Sequence, residues 1–323
     1  MMKKFEPSFT LKNKHLQTLY SSLFRKNIPL KMEIQKYTLD DGDFLDCYWH
    51  KKPKNSKTPI VILFHGLAGS YKSPYIQGAM RELSKNGFAS VVMHFRGCSG
   101  TENKLPRSYH SGDTKDALSW INTLHKEYPN SKLFGVGYSL GGNMLLKLLG
   151  EQSDSSLLSA AISVSAPMQL DICADTMNKG FSKFYQYILL KDLNKHLSKK
   201  FDTHPMQKFL SIKKEDIKKL NTFWKFDEAY TAPIHGFKSA QDYYTKCSAK
   251  QFLKDIKTPT LIIHSLDDPF MTPDILPQAD EISNAVTLEI HPYGGHVGFI
   301  NKTVFKPDYF LEKRVSAYFK SFL

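Results

Sequence analysis

The chain has 323 residues, with 44 Lys and Arg against 31 Asp and Glu and a formal net charge of +13. This length suits one large α/β domain, 1–323, with a core that needs no staples. It shows no apolar stretch of the ~20 residues needed to span a membrane, and no signal-peptide pattern. Its four cysteines lack C-x-x-C spacing, which argues against zinc and a disulfide framework and for the reducing cytoplasm.

Taken in chain order, runs at 33–39 and 44–50 flank Asp40-Asp41-Gly42, a hairpin turn signal. With the segment before them they form an N-terminal extension and first hairpin over 1–59. Residues 60–65 are continuously apolar, as a strand buried on both faces requires. That strand runs into His65-Gly66-Leu67-Ala68-Gly69-Ser70. A helix at 74–86, a strand at 88–95 and a long helix at 111–128 follow. The apolar run 132–136 then enters Gly137-Tyr138-Ser139-Leu140-Gly141, with a helical pattern over 143–149 beyond it. A serine at a sharp strand-to-helix turn, flanked by glycines, is the pattern of a nucleophile elbow. Enzymes with this elbow take one oxyanion-hole N–H from the residue after the serine and another from the loop after an earlier strand. Those donors are placed at Leu140 and Leu67. The His65 side chain reads as structural.

A strand at 158–165 continues the alternation, which then fails between about 167 and 257. The insertion, 168–256, is lysine- and aromatic-rich and reads as a helical cap. Phe181, Phe184, Tyr185 and Ile188 recur there at helical spacing and are expected to line a substrate pocket. A strand at 260–264 runs into Asp267-Asp268-Pro269. An acid here can hold a histidine in the tautomer a general base needs, and Asp268 is favoured over Asp267. A helix near 273–283 and a strand at 286–291 come next. The Gly294-Gly295-His296 loop places His296 at 28 residues beyond Asp268, and His291 is the weaker alternative. A helix at 309–322 ends the chain. The expected fold is therefore an α/β-hydrolase: a mostly parallel central sheet flanked by helices, with a Ser139–Asp268–His296 triad. No H-x-x-x-H or H-E-x-x-H spacing occurs, and Gly97-Cys98-Ser99-Gly100 lacks the lysine of a nucleotide loop. No metal and no cofactor are expected.

The motifs together resemble AB hydrolase family 4, the YheT-type hydrolases. They comprise Asn13-Lys14-His15-Leu16-Gln17-Thr18, the His65–Ser70 loop, Phe95-Arg96-Gly97-Cys98-Ser99-Gly100, Tyr109-His110-Ser111-Gly112-Asp113-Thr114, the elbow, Gly180-Phe181-Ser182, and the acid and histidine loops. The resemblance runs from about residue 9 to residue 300. It implies an esterase or lipase using Ser139, Asp268 and His296, and it assigns no role to Arg96 or His110. The leading reading is a serine carboxylesterase acting on acyl esters such as acylglycerols. An acyltransferase on the same residues is one alternative, and a non-catalytic lipid or small-molecule binder is another. The basic excess sits at 1–59, with 12 Lys and Arg against 6 Asp and Glu, and at 171–256, with 16 against 10. A solvated surface accounts for it first. Weak contact with an anionic membrane comes second, and nucleic acid is not expected, because no nucleic-acid motif accompanies it.

Overall fold

The computed structural model describes residues 5–323. Its centre is an eight-stranded sheet: β1 (Glu33–Thr38), β2 (Phe44–His50), β3 (Ile60–Phe64), β4 (Ala89–Met93), β5 (Leu133–Tyr138), β6 (Leu158–Val164), β7 (Thr260–Ser265) and β8 (Val286–His291). Their order across the sheet is β1-β2-β4-β3-β5-β6-β7-β8. The hairpin β1–β2 is antiparallel and joins β4 antiparallel, and all later pairings are parallel.

The central strands are apolar at every position because both faces are covered. Along β3, Ile60, Ile62 and Phe64 enter one core with Trp120 and Leu145, while Val61 and Leu63 enter another with Met80 and Phe319. Helices α3 (Thr114–Glu127) and α4 (Leu140–Gln152) cover the first face. Helices α2 (Pro74–Lys85) and α10 (Phe310–Lys320) cover the second. The register pairs Phe64 of β3 with Gly137 of β5. This brings the loop after β3 beside the turn after β5, in the crevice at the carboxyl ends of the strands.

Three further parts were not fully legible in sequence. Helix α1 (Lys14–Phe24) is started by Asn13, whose side chain accepts from the N–H groups of His15 and Leu16. A hairpin, β9 (Ile300–Thr303) with β10 (Lys306–Tyr309), follows the histidine loop. The expected helix near 273–283 is absent; only single turns at Pro273–Ile275 and Ala279–Glu281 form. Pro277 accounts for this, since it lacks an N–H and holds the preceding Leu276 extended.

Between β6 and β7 the chain is helical. It forms α5 (Leu170–Met177), α6 (Ser182–Thr203), α7 (Phe223–Phe226), a π-helical turn at Asp227–Thr231, α8 (Ala232–Ile234) and α9 (Ala240–Cys247). Leu190, Leu197, Met206, Leu210 and Phe226 give this insertion a core of its own. Buried Lys200 of α6 ties it to the sheet domain by donating to Asn103 Oδ1 and Leu105 O, both at 2.6 Å.

Candidate active site

The turn after β5 explains the two glycines around Ser139. A Cβ on Gly137 would lie 2.3 Å from Gly141 O, and one on Gly141 would lie 2.5 Å from Phe64 O. Only glycine lets strand, helix and neighbouring strand come this close. Ser139 itself has φ 52° and ψ −119°, a conformation that side-chain-bearing residues rarely adopt. Its N–H continues the sheet by donating to Val164 O at 2.8 Å, and its C=O starts α4 by accepting from Asn143 N–H at 3.0 Å. The backbone is thus held from both sides while the hydroxyl projects from the sheet.

Ser139 Oγ lies 2.9 Å from His296 Nε2, and His296 Nδ1 lies 2.8 Å from Asp268 Oδ2. With Nδ1–H donating to the carboxylate, Nε2 is left to accept a proton from the serine hydroxyl. The other carboxylate oxygen of Asp268 accepts from Phe270 N–H at 2.9 Å. The imidazole stacks on the Phe270 ring, with centroids 3.9 Å apart and planes 8° from parallel. Asp267 faces the other way: its Oδ1 accepts from Gly295 N–H at 2.8 Å and holds the histidine loop.

Helix α1 supports the same loop. Thr18 Oγ1 accepts from His296 N–H at 2.9 Å. A Cβ on Gly298 would lie 2.4 Å from Gln17 O. Gln17 donates to Leu11 O and Ile300 O and accepts from Ile300 N–H. The Asn13–Thr18 motif therefore positions His296 across some 278 residues of chain. The Asn13 cap was the one local signal for this helix.

The loop after β3 is held in the same detail. Tyr75 OH accepts from Gly66 N–H and Tyr109 OH accepts from Ala68 N–H, each at 2.9 Å. Between them, Leu67 N–H has no acceptor among the described residues, and neither does Leu140 N–H at the start of α4. Both residues border the cavity that holds Ser139. His65 is fully buried: Nδ1–H donates to Gly66 O and Nε2 accepts from Phe95 N–H. This is the structural role expected of it.

The cavity measures about 240 Å³ and is roofed by the insertion. Its walls include Leu193 and Leu197 of α6, Phe226 and Tyr230. The expected lining residues Phe181, Phe184, Tyr185 and Ile188 are not among them. Phe181, Phe184 and Ile188 are 51%, 46% and 43% exposed, and Tyr185 is buried with its hydroxyl 3.0 Å from His15 Nδ1. An apolar stripe identifies a helix face but not the neighbour it meets. Here that face turns toward α1, and the following turns of α6 face the cavity.

Arg96 sits in the sheet domain's own ion network, 2.6 Å from Asp116, 3.0 Å from Asp43 and 2.9 Å from Asp41. His110 packs edge-on to His235, with ring centroids 4.6 Å apart. The donor atoms of His110, His235 and Asp113 lie within 4.8 Å of one another, and Arg107 pairs with Asp113 at 3.0 Å. Arg96 and His110 themselves border the cavity.

Five histidines are held neutral by burial, each well below the ordinary 6.5: His65 and His110 to about 3, His94 and His264 to about 4, His235 to about 2. When the chain unfolds below pH 6.5 these groups take up protons, so stability falls as pH drops through 6.5 toward the folded values. Between pH 7 and pH 6 each contributes about 0.7 kcal/mol of loss, or about 3 kcal/mol together. Below pH 6 carboxyls pushed up by burial, such as Asp227 at about 6, oppose the trend. Urea unfolding should thus give a lower midpoint at pH 6 than at pH 7. Equal midpoints would contradict burial of these neutral histidines as the dominant pH-dependent contribution to stability.

Comparison with known proteins follows the geometry. The family described as "alpha/beta hydrolase fold" matches residues 59–303. The chain is 40% identical over 321 residues to "Putative esterase YheT" of Escherichia coli strain K12, covering 99% of this chain and 94% of that one. It is 33% identical over 279 residues to the monoacylglycerol lipase of Saccharomyces cerevisiae, covering 84% of this chain but 59% of the lipase. It therefore spans less than two thirds of that relative. Among solved structures, the Pyrococcus furiosus esterase Pf2001 superposes with a TM-score of 0.59 at 17% identity, covering 90% of this chain and 93% of the esterase, a likeness of fold. No helix among the described residues is long and apolar enough to cross a membrane. The chain belongs to the α/β-hydrolase fold family, and within it to the YheT type.

Proposed function

We propose that the protein is a serine carboxylesterase or lipase that cleaves acyl esters, acylglycerols among them, through an acyl-enzyme on Ser139. The observation that carries this is the continuous Ser139–His296–Asp268 hydrogen-bonded chain, at 2.9 and 2.8 Å, on the floor of an apolar cavity. The relatives named as an esterase and a monoacylglycerol lipase point to the same substrate class.

Ser139 Oγ attacks the ester carbonyl as its proton passes to His296 Nε2. The N–H groups of Leu67 and Leu140 stabilise the resulting oxyanion, worth most in a site closed to water. Asp268 stabilises the imidazolium. Collapse expels the alcohol, which takes the proton from Nε2. Water then gives its proton to Nε2 and attacks the acyl-enzyme, and the acid departs as the proton returns to Ser139. These steps use protein groups and water alone.

The insertion acts as a cap that receives the acyl chain. Each methylene buried there contributes about 0.8 kcal/mol, close to fourfold in kcat/KM. Across p-nitrophenyl esters of increasing acyl length, kcat/KM should climb and then fall once the cavity is full. A fluorophosphonate probe should label wild-type protein at Ser139. Absence of labelling, together with no hydrolysis of any ester, would leave a non-catalytic binder.

A further inference from the structure

The insertion contributes one acid to the wall of the substrate cavity. Asp227 borders the cavity that holds Ser139. It opens the π-helical turn Asp227–Thr231, a conformation that is rare and recurs at functional sites. Thr231 Oγ1 donates to its Oδ1 and Tyr244 OH to its Oδ2, each at 2.6 Å. Among the described residues no basic side chain forms a salt bridge with it. A buried carboxylate without a cation is expensive to keep. Asp202, Asp216 and Asp242 of the same segment, nearer the surface, each pair with a lysine.

The two hydrogen bonds fix the orientation of the carboxylate without using up its capacity. A carboxylate offers about four acceptor sites, and two are taken. The remaining ones belong to a group on the wall of the substrate cavity. The Cys173 thiol, which lines the same cavity, is pushed up first by burial and then by the charges of Asp268 and Asp227. One wall residue thus lies within electrostatic reach of both carboxylates.

We infer that Asp227 is a specificity-determining residue of the cap, which accepts a hydrogen bond from a donor on the alcohol part of the substrate, a hydroxyl or a protonated amine. This rests on the esterase reading and narrows it to esters carrying such a donor. A partial glycerol ester meets that requirement and a simple alkyl ester does not. A substrate lacking the donor displaces water from the acid and returns no hydrogen bond in its place. That is the condition under which a single polar group discriminates strongly.

The test compares three esters of one acid with full-length protein: 1-octanoylglycerol, 3-(dimethylamino)propyl octanoate and propyl octanoate. The reading is the ratio of kcat/KM for each donor ester to that of the propyl ester. Both values report the same active population, so partial misfolding of a variant cancels from the ratio. In the wild type at least one ratio should be about tenfold or more, the glycerol ester identifying a hydroxyl donor and the amine an ammonium. Asp227→Ala should bring that ratio close to one. Asp227→Asn keeps a neutral acceptor, so it should retain more of a hydroxyl preference than of an ammonium preference. Hydrolysis of all three esters with wild-type ratios near one overturns the inference, as does a ratio that Asp227→Ala leaves unchanged. Failure of the wild type to hydrolyse any of them, with no fluorophosphonate labelling, overturns the esterase reading itself.

Discussion

Ser139→Ala should lower ester turnover by a factor on the order of 10⁶, the loss seen when a triad nucleophile is removed elsewhere. The substitution deletes one oxygen and leaves the rest of the site in place. Leu67 and Leu140 still border the cavity with N–H groups that have no acceptor among the described residues, and Asp268 keeps its contact with His296. The variant should therefore still bind substrate, and its weak remaining rate should come from binding and the oxyanion donors alone. The backbone at φ 52° is already adopted by a residue with a Cβ, so alanine adds no new strain. Thermal unfolding should show a midpoint equal to or above that of the wild type, because a hydroxyl kept for chemistry contributes little to folding. Turnover within tenfold of the wild type in a well-folded variant would remove Ser139 from the role of nucleophile.

The sheet and the loops at its carboxyl ends are legible in the sequence because each has a local physical signature. Residues 60–64 are apolar at every position because both faces are covered. Gly137 and Gly141 are dictated by contacts of 2.3 and 2.5 Å. The Asp267-Asp268 pair follows one strand, and the glycine-flanked histidine follows the next. What the sequence conceals are relations between distant segments. Thr18 holds His296 across the length of the chain, and no periodicity encodes that. The stripe from Phe181 to Ile188 announces an apolar helix face, yet the face packs toward His15, whose ring centroid lies 4.5 Å from that of Phe181. Leu189, Leu193 and Leu197, further along the helix, meet the cavity instead. Asp227 is one acid in a lysine-rich stretch, and only the π turn and the enclosing insertion set it apart. The helix expected near 273–283 is lost to Pro277, a local signal outweighed in the reading by the strand–helix alternation.

Asp268→Asn should lower turnover by about 10⁴, while Asp267→Asn should cost less than tenfold. The two residues are neighbours in sequence with opposite tasks. Asp268 accepts a hydrogen bond from His296 Nδ1–H at 2.8 Å and, through its other oxygen, one from Phe270 N–H at 2.9 Å. An asparagine can keep only one of these as an acceptor. If its oxygen stays on Phe270 N–H, its amide N–H₂ points at Nδ1 and forces the proton onto Nε2. The imidazole then donates to Ser139 where it must accept. The loss should fall on kcat, with KM little changed, because the substrate does not touch this pair. Asp267 serves the loop instead: its Oδ1 accepts from Gly295 N–H at 2.8 Å. An amide oxygen can replace that contact, and the burial that pushes the Asp267 carboxyl up makes a neutral side chain acceptable there. Steady-state kinetics of the two variants on a p-nitrophenyl ester would check this directly. The reverse order of severity would make Asp267 the functional acid. Near-wild-type turnover in both would place the orienting carboxylate elsewhere and leave the 2.8 Å contact to His296 as a structural one.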